Sequence, residues 1–193
     1  MILNIFANFS TISSLTFFQN KDLREACSKG DLAEVKRLLG KGADVKSRDS
    51  SGNTPLHMVD EGQFEEIIDL LVKKGADISK GDRNMWTALH WASVKGKNDV
   101  VKCLIKHGAN VNAKTVDGFT PLMAAINGFY NKVGNYANEG SEHIFKDVCL
   151  AIASHMTKAD MVNIKNNEGF NVLDFDNALN NSFVLSMLEI ILK

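Results

Sequence analysis

Large aliphatic residues recur through the middle of the chain at the spacing of short amphipathic helices. The stripes are formed by neighbouring apolar pairs: Leu38/Leu39, Ile67/Ile68, Leu70/Leu71, Val100/Val101 and Leu104/Ile105. Their i, i+3, i+4 spacing turns one face of each segment toward a core. Gly42, Gly75 and Gly108 follow the stripes, and glycine ends a helix at little cost because it adopts the left-handed conformation. The pattern predicts a series of short helices, each closed by a glycine.

Two motifs repeat along the same segment with a period of 33 residues. The first motif appears as Thr54-Pro55-Leu56-His57, Thr87-Ala88-Leu89-His90 and Thr120-Pro121-Leu122-Met123. The second appears as Gly42-Ala43-Asp44-Val45, Gly75-Ala76-Asp77-Ile78 and Gly108-Ala109-Asn110-Val111. A threonine hydroxyl can cap a free amide at a helix start, and proline fits the first turn because it has no amide to satisfy. Each repeat is therefore a helix pair with a turn, and neighbours must stack to bury their apolar faces.

This pattern resembles the ankyrin repeat family, whose 33-residue unit contains T-P-L-H-x-A and G-A-D-V-N. Residues 86–93 and 108–113 follow the family pattern almost throughout. The resemblance implies an all-α fold: a solenoid of about five stacked helix-turn-helix repeats with short β-turn or hairpin connections. The repeats it implies span about 21–49, 50–82, 83–115, 116–166 and 167–193, the last as a C-terminal cap.

The fourth repeat is longer than the others. Gly118 and Gly169 occupy equivalent positions but lie 51 residues apart, which exceeds the period by 18. We place the insertion at about 129–145, between the two helices of the repeat. Residues 131–141 are rich in Asn and Gly, which predicts a loop, with a helix resuming near Glu142 and a family-like turn at 159–163. The insertion either belongs to a functional face or reflects drift in a tolerated surface loop.

Residues 1–20 form an apolar N-terminal segment without a charged side chain. A signal peptide would need a basic start and a small-residue cleavage site, and a membrane span would need about 18 consecutive apolar residues. The segment has no basic start and no clear cleavage site, which argues against a signal peptide. Asn, Ser and Thr interrupt its apolar positions, which argues against a membrane span. We interpret the segment as a cap on the first repeat or a poorly ordered tail, with export or a membrane anchor as the alternative.

Composition and charge narrow the classes of partner. The chain has 193 residues, 22 Lys and Arg against 23 Asp and Glu, and a net charge of -1. It lacks the basic excess that drives binding to nucleic acids or anionic membranes. We expect a monomeric cytoplasmic chain with a protein partner, no nucleic acid, and no membrane contact unless residues 1–20 anchor it. Cys27, Cys103 and Cys149 form no CxxC pair, which predicts reduced, buried thiols rather than disulfides or a zinc site.

No catalytic constellation is visible, and the sequence predicts no metal and no cofactor. His57 and His90 stand where the resemblance implies a structural histidine that hydrogen-bonds the backbone of a neighbouring repeat. We therefore expect a non-catalytic protein-binding scaffold. Two alternatives stay open: an effector that an intracellular bacterium secretes to engage host proteins, suggested by the Asn-rich, Pro-poor composition, and an enzyme or enzyme subunit using the 129–145 insertion. Asn112 also lies in a turn of the kind that asparagine hydroxylases modify.

The resemblance implies that a partner binds the concave groove, at turn tips and on the exposed side of the first helix of each repeat. The variable positions carried over to this chain are Asn53, Arg83, Asn84, Trp86, Lys95, Val116, Asp117, Phe119, Asn127 and Phe170. Trp86, Phe119 and Phe170 are equivalent in successive repeats, which predicts an aromatic row. Such rings anchor interfaces, or else pack on the next turn and stiffen the stack.

Overall fold

The protein is represented by a computed structural model. It describes the backbone of residues 2–133 and 141–174, and the side chains of 16–129 and 143–174. The chain divides into two compact units, Met1–Asp77 and Ile78–Lys193, called the N-terminal and C-terminal units below. Within the described ranges the regular structure is helical, and a single isolated bridge joins Gly81 and Thr87. The all-α expectation is confirmed.

The N-terminal unit begins with one long helix. α1 spans Ile2–Lys29, so the backbone of the apolar N-terminal segment continues into the first repeat without a break. α2 spans Leu32–Gly40, and Asp31 caps it by accepting a hydrogen bond from the Glu34 amide at 2.9 Å. A 3₁₀ helix follows at Pro55–Met58, and α3 spans Phe64–Lys73.

The first helix of the second repeat is shorter than the sequence pattern predicts. Only the four residues of the 3₁₀ helix are helical, and the chain leaves the helix at Val59 with φ −65° and ψ 120°. In the two following repeats the equivalent residue is Ala92 or Ala125. β-branched side chains are stiff and favour extended backbone, so Val59 ends the helix where alanine continues it.

The C-terminal unit contains the more complete helix pairs. α4 spans Ala88–Lys95, α5 Asn98–Lys106, α6 Pro121–Val133, α7 Ser141–Ala153 and α8 Lys158–Asn163. A Cβ atom at Gly128 would overlap the carbonyl oxygen of Val94. The glycine therefore allows α4 and α6 to approach closely, which sets the spacing of the third and fourth repeats.

The insertion lengthens α6, and part of the loop prediction is wrong. The helix continues through residues 131–133, while 134–140 of the predicted loop lie outside the described residues. The cause is a missing glycine. α4 stops at Gly96, which adopts φ 75°, but Phe129 stands 33 residues later, and a bulky residue rarely takes that conformation. Its ring instead packs against Phe145 of α7, with centroids 6.1 Å apart.

The family-like turn predicted at 159–163 is also wrong, because this segment is the short helix α8. Thr157 and Asp160 form a capping box there: Thr157 Oγ1 accepts from the Asp160 amide at 3.1 Å, and Asp160 Oδ2 accepts from the Thr157 amide at 2.8 Å. A capping box satisfies two free amides and starts a helix. The C-terminal cap proposed for 167–193 falls outside the described residues beyond Asp174.

The predicted apolar stripes are largely buried, and only Leu39, Leu70 and Ile105 of their ten residues are half-buried. Leu56, Leu89 and Leu122 are at most 2% exposed, and the glycines that end the second helices, Gly42, Gly75 and Gly108, have φ between 86° and 92°. All three cysteines are free and buried, as the sequence predicted. Burial raises the pKa of Cys27 and of Cys149 to about 12, so both thiols are poor nucleophiles.

Candidate functional site

The candidate site is a row of three turns in the C-terminal unit, formed by residues 82–87, 115–120 and 166–171 and called the turn row below. In the first turn the Asp82 amide donates to the Trp86 carbonyl at 2.9 Å. The Asp82 carboxylate accepts from the amides of Asn84 and Trp86 at 2.8 and 3.0 Å. A short carboxylate side chain that bonds the following amides holds a turn closed.

The other two turns repeat this geometry with different side chains. The Thr115 amide donates to the Phe119 carbonyl at 3.0 Å, and the Asn166 amide donates to the Phe170 carbonyl at 2.9 Å. Thr115 Oγ1 accepts from the Phe119 amide at 3.1 Å, and Asn166 Oδ1 accepts from the Phe170 amide at 2.9 Å. Each turn is thus fixed by its own first residue.

Hydrogen bonds also join each turn to the next. The Val116 amide donates to the Asn84 carbonyl at 2.9 Å, and the Asn167 amide donates to the Asp117 carbonyl at 3.0 Å. The Asn167 side chain adds a bond from Nδ2 to the Val116 carbonyl at 2.8 Å. Because neighbouring tips are bonded through their backbones, the turn row presents its side chains from a preorganised frame.

His90 connects α4 to the turn row. Its Nε2 lies 3.0 Å from the Phe119 carbonyl oxygen, and its Nδ1 lies 3.2 Å from the Thr87 amide nitrogen. The ring is fully buried. The structural role predicted for His90 is confirmed, and His57 makes the equivalent local bond to the Thr54 amide at 3.1 Å.

The aromatic positions of the turn row are not alike. Trp86 is half-buried and packs on His90 and Trp91, with ring centroids 5.8 and 5.3 Å away. Phe119 is also half-buried, whereas Phe170 is 44% exposed. Trp86 thus packs on α4 of its own repeat, and Phe170 is the most exposed of the three rings.

Met85 is a residue of the turn row that the sequence interpretation missed. It is 52% exposed and is the only described non-glycine residue with positive φ, at 61°. Glycine fills the equivalent position in the other turns, as Gly52, Gly118 and Gly169. A left-handed non-glycine residue costs about 1–2 kcal/mol. The signal was present in the 33-residue register, as a methionine where the second, fourth and fifth repeats have glycine.

The remaining predicted residues fall into two groups. Arg83, Asn84, Val116 and Asp117 are exposed at the tips, whereas Lys95 and Asn127 are half-buried on α4 and α6. Asn53 lies apart in the N-terminal unit, where its Nδ2 donates to Asp49 at 3.0 Å and holds its own turn. Nine of the ten predicted positions therefore belong to the C-terminal unit, and Asn53 has a local structural role.

Two polar groups at the turn row are bonded within the fold. The Asp82 carboxylate holds its own turn, and the His90 ring on α4 bonds the Phe119 carbonyl. Across the residues with described side chains, no cluster of three or more His, Cys, Asp or Glu could hold a metal ion. Asn112 is half-buried in the turn after α5, and its modification stays a prediction.

Comparison with known proteins supports the repeat assignment. The sequence profile described as ankyrin repeats (3 copies) matches residues 23–115 and 59–136, which together span more than half of the chain. No curated protein matches the sequence. None of the helices in the described ranges combines the length and the hydropathy that crossing a bilayer requires.

Proposed function

The chain belongs to the ankyrin repeat family, and from this premise we propose that its turn row binds a partner protein without catalysing a reaction. Ankyrin repeats are generally protein–protein interaction modules and are typically non-catalytic. The proposal assigns that general role to one surface of this chain.

The observation that carries the proposal is the exposure of apolar side chains on a hydrogen-bonded frame. Met85, Val116 and Phe170 are 52%, 57% and 44% exposed, one on each successive turn. Because the backbone of the turns is already fixed, binding costs little further backbone entropy. Methionine and aromatic residues are enriched at interfaces, so Met85 and Phe170 are the proposed anchors and Val116 adds apolar area. Polar neighbours such as Arg83 and Asp117 form the surrounding rim.

Affinity capture with matched variants tests the proposal. Wild-type protein is compared with Val116→Ala/Phe170→Ala, and with Ile144→Ala/Val162→Ala as the control. The control residues are also 49% and 40% exposed but lie on α7 and α8, outside the turn row. We expect proteins captured by the wild type and by the control to be lost with the turn-row variant, as quantified by mass spectrometry.

One control measurement and two alternative outcomes complete the comparison. Circular dichroism must show equal helix content in the three proteins. A partner held equally by all three would contradict the assignment of the interface to the turn row. A partner lost only with Ile144→Ala/Val162→Ala would move the interface to α7 and α8.

A further inference from the structure

A second surface lies in the N-terminal unit, along one stripe of α1 and the turn before the 3₁₀ helix. It is an open groove of about 710 Å³. The α1 residues that line it recur at i, i+4 and i+7, so they share one face of the helix. The residues that matter for its chemistry are Phe17, Lys21, Arg24, Arg48, Asp49 and Met58.

Cations outnumber carboxylates in this groove. Lys21, Arg24 and Arg48 line it against Glu25 and Asp49. Lys29, which does not line it, donates from Nζ to Glu25 Oε1 at 2.7 Å, and this bond lowers the pKa of Glu25. Glu25 is therefore paired mainly with a cation outside the groove, and the charge of Lys21 inside it acts in the same direction.

The second carboxylate is engaged by its own turn. Asp49 accepts hydrogen bonds from the amides of Ser51 and Asn53 at 2.9 and 2.8 Å, and from Asn53 Nδ2 at 3.0 Å. Burial acts to raise the pKa of Asp49, but these bonds and the charge of Arg24 outweigh it and hold the pKa below its ordinary value. Asp49 therefore stays ionised and faces Arg24, and the excess of the lining is that of three cations over two carboxylates.

Apolar surface lies beside these cations. Phe17 is 65% exposed, and Met58 is half-buried at the 3₁₀ helix. Phe17 precedes the first repeat, so the groove combines the N-terminal segment with repeat residues. An exposed aromatic ring beside a lining with three cations and two carboxylates matches a ligand that carries both carboxylates and an apolar side chain.

We propose that this groove binds an acidic peptide segment of a partner protein, in which a large apolar side chain lies next to Asp or Glu residues. Arg24 is only 9% exposed and donates to Ser47 Oγ at 3.3 Å. An extended peptide can reach a recessed guanidinium, whereas the flat surface of a bilayer cannot. This inference rests on the proposed protein-binding function for the class of partner, but it uses none of the turn-row residues.

Selection from a displayed random-peptide library tests the proposal. The full chain is immobilised as wild type, Lys21→Glu, Phe17→Ala and the control Lys36→Glu. Lys21 and Lys36 are both exposed, and Lys36 lies on α2 outside the groove. We expect the wild type to enrich peptides with Asp or Glu beside an aromatic or large aliphatic residue.

The binding of one synthetic selected peptide is then measured by fluorescence anisotropy. We expect at least about a tenfold weaker Kd for Lys21→Glu and for Phe17→Ala, and no change for Lys36→Glu. Raising the salt to about 0.5 M should weaken binding to the wild type, because ion pairs at an exposed groove are screened.

Several outcomes would overturn the proposal. These are no enrichment, enrichment without acidic residues, equal binding by Lys21→Glu, or cosedimentation with phosphatidylserine vesicles in place of peptide binding. Running Val116→Ala/Phe170→Ala in parallel separates the two proposals. Peptides lost with that variant but kept by Lys21→Glu would place binding at the turn row and reject the groove. The reverse result would support the groove, whatever becomes of the turn row.

Discussion

The Nε2 atom of His90 lies 3.0 Å from the carbonyl oxygen of Phe119. A buried side chain of one repeat is thereby bonded to the backbone of the next turn. Because Nε2 faces a carbonyl, it carries the proton, which leaves Nδ1 to accept from the Thr87 amide. One neutral ring thus satisfies a donor at the start of α4 and an acceptor in the turn row.

Replacing His90 with alanine should lower the free energy of unfolding by roughly 2–4 kcal/mol. The substitution leaves the Thr87 amide without this buried partner, at about 1–3 kcal/mol, and removes one of two bonds to the Phe119 carbonyl, at about 0.5–1.5 kcal/mol. Urea unfolding followed by circular dichroism measures the loss. His155→Ala is the control, since His155 is exposed and its removal should stay within about 0.5 kcal/mol. Equal effects of the two substitutions would contradict the role given to His90.

Met85→Gly should raise the free energy of unfolding by about 1 kcal/mol or less. Removing the side chain relieves the cost of positive φ, and the greater freedom of glycine in the unfolded chain offsets part of that gain. The same variant should bind the partner of the turn row less tightly, because it removes exposed apolar surface. A gain in stability with weaker binding is the expected pair of results, from urea unfolding and titration. Lower stability would show that Met85 is not strained.

Gly118→Ala should destabilise the chain more than Gly169→Ala. Both glycines have positive φ, 79° and 87°, so both substitutions add backbone strain of about 1–2 kcal/mol. At Gly118 the new Cβ would also lie 2.9 Å from the Asn166 Cα and from the Asn167 amide nitrogen, whereas at Gly169 no atom of the described part of the chain lies within 4 Å. The difference between their urea midpoints measures the contact between adjacent turns. Indistinguishable midpoints would mean that the turns are not packed against each other.

Asp49→Asn should remove part of the acid sensitivity of the N-terminal unit. The folded pKa of Asp49 lies below its ordinary value of 3.8. Its ionised form therefore stabilises the fold above pH 3.8, and this contribution disappears as the pH falls through the lower folded pKa. We expect wild-type protein to have the higher urea midpoint at pH about 7, with the gap to Asp49→Asn closing toward pH about 2. A gap independent of pH would contradict this.

The buried cysteines should resist alkylation in the folded protein. With a pKa of about 12 in place of 9.0, the thiolate fraction of Cys27 and Cys149 is about a thousandfold lower near neutral pH. Iodoacetamide at pH about 8 should label both cysteines only after unfolding in urea, as peptide mass spectrometry can follow. Rapid labelling of either cysteine in the native protein would contradict its burial.

The sequence predicted features that depend on a few neighbouring residues. The glycines at Gly42, Gly75 and Gly108 were found because a positive φ after an apolar stripe needs that residue type. His57 and His90 were found because they match the histidine of the T-P-L-H motif in the family that the chain resembles. Each of these features can be predicted wherever a repeat keeps the residue type on which it depends.

The errors lie where the register is kept but one side chain changes the backbone. Val59 shortens a helix that alanine would continue, and Phe129 extends one that glycine would stop. Met85 holds a glycine conformation despite its side chain. The sequence pattern also did not predict how exposed each ring is. Trp86 and Phe170 occupy equivalent positions in their repeats, but Trp91 packs on Trp86, whereas Phe170 is 44% exposed.

Calorimetric titration of the captured partner into purified chain tests the central claim most directly. It compares wild type, Val116→Ala/Phe170→Ala and Ile144→Ala/Val162→Ala under one buffer condition. The account predicts a Kd at least about tenfold weaker for the turn-row variant alone, which corresponds to about 1.4 kcal/mol, with the free energies of unfolding of the two variants alike. An unchanged Kd for the turn-row variant would contradict the account.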